Sequence, residues 1–206
     1  MSRRPQVAGG IASICRGRLD SPPIQASGED HVSPRQGKRQ ATVGNRYRGS
    51  WVMLFLDTSA LVKRYVEEQD SDALIRLWDA GDPIAVSVIT FAEALGALNR
   101  RRRESTLSEA QYKLARGHLE NDWARLTRID VTNRLDPYLR RLSYRHPLRG
   151  MDAIQLVTAQ LLSETLNDAL DFVTADIRLL NIARAEGLRV VSPPDFVVAS
   201  EGRKNE

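Results

Sequence analysis

Asp57, Glu93, Asp152 and Asp176 are four acidic side chains that each fall early in a segment with helical spacing. Asp57 directly follows the apolar run Met53–Leu56, Asp176 nearly follows 171–174, and Glu93 comes shortly after 84–87. If those runs are strands of one parallel sheet, their carboxyl ends share an edge, where open α/β sheets bind ligands. Four acids brought to one crevice repel one another and raise one another's pKa unless a cation neutralises them. Hard oxygen donors select Mg²⁺ or Mn²⁺, so the chemistry read from these residues is that of a divalent metal site. Each acid also has a simpler reading. Acids in a first helical turn are favoured by the macrodipole, and Thr90 to Glu93 fits a capping box. Asp152 resists this best, because it stands between Met151 and the apolar Ala153, Ile154, Leu156 and Val157.

The elements that must position these acids follow from periodicity. Met53 to Leu56 shows no polar alternation and reads as a strand buried on both faces. Further strands are expected at 84–87, 128–131, 171–174 and 189–192. Between them, helices are expected at 60–66, 71–80, 88–103 and 107–126, from Thr132 or Asn133 through Tyr144, and at 151–163 and 176–186. Asp176 is the expected cap of the last helix and Gly187 its end. Pro137 after Asp136 suits a first helical turn. On the long 107–126 helix, Tyr112, Ala115, Leu119, Trp123 and Leu126 make a core stripe. Strands alternating with helices imply an α/β fold with a parallel sheet. No internal repeat is visible.

Composition narrows the class. Nine of the 30 basic and three of the 26 acidic residues lie in 1–52, which leaves 21 against 23 in the rest. The basic character therefore belongs to the first segment, and any nucleic-acid argument has to rest on local clusters. Arg3 and Arg4 before a weakly apolar 7–15 do not make a signal peptide, since that stretch is short, broken by Gly and Ser, and lacks a small-residue cleavage site. No run approaches the ~18 apolar residues of a membrane span. Cys15 is the only cysteine, so there is no disulfide framework, and a reducing, cytoplasmic setting is expected.

With these motifs in view, the chain resembles the PIN-domain ribonucleases, and within them the VapC-type toxins of toxin-antitoxin pairs. The matching stretches are LDTSALVKRY around Asp57, SVITFAEALGAL around Glu93, LRGMDAIQLVTAQLL around Asp152 and FVTADIRLLNIARAEGLRVVSP around Asp176. The resemblance spans about Met53 to Pro194 and implies a three-layer α/β/α sandwich with a central, mostly parallel five-stranded sheet, the domain being expected over 53–196 with a polar tail at 197–206. It implies a Mg²⁺-dependent endoribonuclease, with Mn²⁺ an alternative, in which metal-activated water attacks an RNA phosphodiester. Asp57 and Asp152 would be the principal metal ligands, with Glu93 and Asp176 completing the catalytic pocket. Thr58, Ser59 and Thr174 would steady a carboxylate or a water. A cognate antitoxin is the implied protein partner, seated as an amphipathic helix near 60–77, and a homodimer is the implied assembly.

Positive charge for the substrate is expected from Arg145 and Arg149, part of a cluster with Arg140 and Arg141. Arg100 to Arg103 read equally well as C-terminal partners of a helix dipole. Two competing readings stay open. A phosphatase or phosphotransferase would want a second Asp two residues after Asp57, where Ser59 stands; a catalytically silent interaction module would not need all four acids.

Residues 1–52 combine net positive charge with scattered Gly, Pro, Ser and Gln and no sustained apolar period, so a disordered extension is expected, with a natural start near Met53. A protein beginning at Met53 is then expected to match the full chain in folding, in RNA cleavage and in the salt dependence of RNA binding. A steep loss of RNA affinity on truncation would instead identify the nine basic residues as a binding arm.

Overall fold

Met53–Leu56 forms β1, and its side chains divide strictly between two cores. Leu54 and Leu56 enter one, while Phe55 enters the other with Met53 packed against it. That division follows from the two-residue period of a strand, and it explains why the run is apolar throughout. The computed structural model describes residues 52–167 and 170–192. The expected extension, apart from Val52, and the expected tail at 197–206 lie outside the described residues.

The remaining strands are β2 (Ile84–Ser87), β3 (Thr127–Ile129), β4 (Leu170–Val173) and β5 (Arg189–Val191), in the order β3-β2-β1-β4-β5. Every pairing is parallel, with Phe55 beside Ala85 on one side and Phe172 on the other. The chain builds outward from β1 to β3 and then returns to the opposite flank for β4 and β5. The β1/β4 boundary is thus the topological switch point, beyond whose carboxyl end ligands bind in such sheets.

One face of the sheet carries α1 (Thr58–Leu61), α2 (Ser71–Asp79), α3 (Ile89–Arg103) and α4 (Glu109–Trp123), which supply Leu61, Leu74, Leu98 and Leu119 to the first core. The other carries α5 (Asp136–Arg145), α6 (Gly150–Thr165) and α7 (Ile177–Ala185), which supply Leu142, Leu156 and Leu179 to the second. This is the expected three-layer α/β/α sandwich, with the sheet parallel throughout. Among the described residues, no helix is long and apolar enough to cross a membrane.

Differences from the expected elements lie at their ends, and most have a local cause. The helix expected over 60–66 begins earlier, because Asp57 caps Ser59 N, and it tightens into a 3₁₀ turn at Val62–Arg64. The strand expected at 128–131 is Thr127–Ile129, set by its register with Ala85–Ser87. Leu107–Leu126 shortens to α4, whose Ser108 and Gln111 bond reciprocally across the first turn. The helix expected from 132 or 133 opens as a 3₁₀ turn at Asn133–Leu135, with Pro137 in the first turn of α5. Gly187 ends α7 at φ 89°, a left-handed conformation that glycine adopts without steric penalty.

Candidate active site

Asp57 leaves the end of β1, its N–H still in the ladder to Val173 O at 3.0 Å. The carboxyl is only 5% exposed, so it has exchanged water for donors of the protein. Oδ1 accepts from Ser59 N at 3.0 Å. Oδ2 accepts from Ser59 Oγ at 2.7 Å and from Thr174 Oγ1 at 2.5 Å. Burial pushes the Asp57 pKa up, the bonds from Thr174 and Ser59 oppose the rise, and the charge of Glu93 adds to it. A buried acid with this balance favours either a proton or a cation beside it.

Three other elements bring their acids to the same opening. Glu93, on α3, accepts at Oε2 from Thr58 Oγ1 at 2.7 Å and from Gln155 Nε2 at 2.8 Å. Asp152 sits in the first turn of α6. Its pKa is raised by partial burial and by the charges of Asp176 and Glu93, against the pull of Arg149 and Arg178. Asp176 is exposed and caps α7, its Oδ1 accepting from Arg178 N and Leu179 N at 2.8 and 3.1 Å. Thr174 ties this corner to the first one, because its hydroxyl accepts from Asp176 N at 3.1 Å while donating to Asp57. All four acids line one open cleft of about 690 Å³.

Cap and site readings are therefore compatible at Asp57 and Asp176, which cap their helices and line the cleft as well. The capping box read at Thr90 and Glu93 is not formed. Val88 is the N-cap of α3 and has no side-chain bond, while Thr90 bonds Gln155 and Glu93 turns to Thr58 and Gln155.

The cations are also redistributed. Arg149 lines the cleft, but Arg145 pairs with Glu186 at 3.1 Å, on a carboxylate that also takes His146 at 2.7 Å. Arg145 is thus drawn to the end of α7, a partner too distant in sequence to be foreseen. Arg100, Arg101 and Arg103 instead form a cleft wall with Lys63, since α3 presents Glu93, Gly96, Ala97 and Arg100 along one face. A Cβ built at Gly96 meets nothing within 4 Å, in keeping with a cleft floor lined by small residues. Glu68 pairs with both Arg101 and Lys63.

Near 60–77 the apolar surface is smaller than the sequence suggests, because Ala60, Leu61, Val62, Ala73 and Leu74 are all buried. Ile75, at 36% exposed, is the large apolar side chain left open there.

The donor set can be tested against a cation. The cleft offers carboxylates and hydroxyls, and among the described residues no three His, Cys, Asp or Glu side chains are gathered into a ready-made cage. This is unlike the closed nitrogen and sulfur set of structural zinc. It fits Mg²⁺ or Mn²⁺, of which Mg²⁺ commonly keeps several waters and takes one or two carboxylates from the protein. Gln155, on α6, is a further polar group bonded to a cleft acid; its local sequence did not single it out, since Thr158 and Gln160 are also polar and buried on that helix.

Comparison with known proteins agrees with this architecture. The family model described as PIN domain matches residues 54–185. Ribonuclease VapC45 of Mycobacterium tuberculosis is 30% identical over 138 residues, covering 67% of this chain and 94% of the relative. Ribonuclease VapC46 of the same organism is 34% identical over 142 residues, covering 68% and 97%. Among solved structures, FitAB bound to an IR36 DNA fragment aligns with a TM-score of 0.52 at 14% identity, covering 68% of this chain and 95% of that one. PAE2754 from Pyrobaculum aerophilum aligns with a TM-score of 0.52 at 18% identity, covering 78% and 99%. At such identities the structural likeness is one of fold.

The hydroxyl of Thr174 bridges the two strand ends, and it is fully buried. Thr174→Val keeps the shape and removes a donor to a buried carboxylate, so the variant is expected to lose about 1–3 kcal/mol of stability at neutral pH. Urea unfolding measures this; a midpoint equal to that of the wild type would show that the bond to Asp57 carries no weight.

Proposed function

This chain belongs to the PIN domain family, among the VapC ribonucleases, and on that premise we propose that it is a metal-dependent endoribonuclease acting as the toxin of a toxin-antitoxin pair. The observation that carries the reading is the convergence of four acids, from four separate elements, on one cleft with an arginine wall. In this reading Asp57 and Asp152 hold a Mg²⁺ or Mn²⁺ ion, and Glu93 and Asp176 complete its surroundings. When bound, such an ion makes water nucleophilic near neutral pH and balances the charge that gathers on a phosphate under attack.

The chain's own residues do the rest. Ser59 and Thr174 hold the Asp57 carboxylate in one orientation, so little rearrangement is needed as charge develops. Thr58 steadies Glu93 from β1's own corner. Asp176 is immobilised by the helix it caps. Arg149 stands at the acid side of the cleft, and Arg100, Arg101 and Arg103 stand along α3, where they meet the backbone phosphates of an RNA strand without reading its sequence. The body of the chain is slightly acidic overall, so this local wall, rather than net charge, attracts the polyanion. A homodimer in the cytoplasm is the proposed working form, and the antitoxin its inhibitor.

Cleavage of RNA by the purified protein is expected to need Mg²⁺ or Mn²⁺ and to stop on chelation. Asp57→Asn and Asp152→Asn are each expected to lower it by on the order of 100-fold or more. Both should stay folded. Because Asp57 has a raised pKa, its contribution to stability is present at low pH and lost as pH rises through the folded value. At neutral pH its removal should therefore leave the melting temperature unchanged or higher. Cleavage that persists in a chelator, or two unfolded variants, would make the acids structural caps.

Expression of the chain alone is expected to arrest growth of a bacterial host, and co-expression of its antitoxin to restore it. Normal growth with active, soluble protein present would remove the toxin reading while leaving the nuclease reading intact.

A further inference from the structure

Gln155 lies one turn beyond Asp152 on α6 and is 1% exposed. Its neighbours on that helix, Leu156, Val157, Ala159 and Leu162, are buried and apolar. An amide in such a place is unfavourable unless its donors and acceptor are met. They are met, but by side chains of the cleft and its floor. Nε2 lies 2.8 Å from Glu93 Oε2, 3.0 Å from Thr58 Oγ1 and 2.8 Å from Thr90 Oγ1. Thr90 Oγ1, itself fully buried, stands 3.2 Å from the amide oxygen.

The direction of the amide follows from its surroundings. Turned over, it would aim its carbonyl at the Glu93 carboxylate, placing two acceptors face to face; as it stands, N–H groups meet the acid. Thr90 sits beside both ends of the amide and is satisfied either way, whereas Thr58, whose proton goes to Glu93, can only accept from the amide and so selects the same orientation. Glu93 in turn accepts at a single oxygen, Oε2, from two donors on different elements, Thr58 of α1 and Gln155 of α6. A glutamate has three rotatable side-chain bonds, and donors from α1 and α6 on a residue of α3 restrict them.

We propose that Gln155 is a positioning residue, whose buried amide turns Glu93 Oε2 inward and so sets the carboxylate's presentation to a divalent cation in the cleft. The proposal rests on the reading of the cleft as a metal-dependent site. Gln155 touches neither substrate nor cation and acts through Glu93. The partners of metal-bound carboxylates and imidazoles do this work elsewhere, and their loss weakens metal binding or activity by roughly 10–100-fold.

Isothermal titration of the RNA-free protein with Mn²⁺ tests this in a double-mutant cycle. Gln155→Leu is expected to weaken Mn²⁺ binding by about 10-fold or more in the wild-type background. In a Glu93→Ala background the same change is expected to shift binding by less than about twofold, because the group it acts through is gone. RNA cleavage should fall with Gln155→Leu while the melting temperature shows a folded protein, and Gln155→Met, an unbranched replacement, should behave alike. Equal losses in both backgrounds, unchanged Mn²⁺ affinity in a folded variant, or unfolding of both Gln155→Leu and Gln155→Met would each overturn the proposal. A wild-type protein that binds no Mn²⁺ would overturn the underlying reading as well, and so is distinguishable from failure of the proposal alone.

Discussion

The structure depends on keeping a carboxylate out of water at the end of its central strand. Asp57 must leave β1 at the sheet's switch point, where strands on both sides close over it. A bare charge there would be disfavoured by several kcal/mol. The chain answers with three donors from two residues: the N–H and hydroxyl of Ser59 in the first turn of α1, and the Thr174 hydroxyl beyond the neighbouring strand end. These still leave the acid's pKa above its ordinary value, first because burial withholds water and then because Glu93 is near. In the proposed reading this links the fold to the chemistry, for a cation would satisfy the same carboxylate that the strands bury.

Much of this was legible from the residues alone. The strands declared themselves because parallel strands buried on both faces need uninterrupted apolar runs, as in Met53–Leu56. The four acids could be placed at one edge because a parallel sheet aligns its carboxyl ends. What could not be read were partners far apart in the chain. Thr90 and Glu93 matched a local capping pattern, yet each found a better partner on α6 or α1. Arg145 stood close to Asp152 in sequence and was drawn off by the buried Glu186, whereas Arg100, Arg101 and Arg103 looked like ordinary dipole partners and became a cleft wall. Gln155 gave almost no signal, because a buried amide on a helix is informative only once its partners are known.

The cleft's two sides also differ in how firmly they are held. Asp57, Glu93 and Asp176 are tied to neighbouring elements by short bonds. The wall arginines of α3 sit at its end on long side chains, where Arg101 is engaged by Glu68. In the proposed reading, acids held by bonds from several elements beside arginines on long side chains suit a polymer whose phosphates must be gripped at several points while one bond is held still.

The contact between Thr174 and Asp57 joins residues 117 positions apart in the chain. Such a pairing is slow to find in folding, and on a ribosome it cannot form before the second partner has emerged. β4 is the strand that lies beside β1 and is made long after it. A nascent chain therefore carries Asp57 and Glu93, and later its first three strands, before it possesses a cleft. The cleft can thus be complete only when translation of the domain is all but finished.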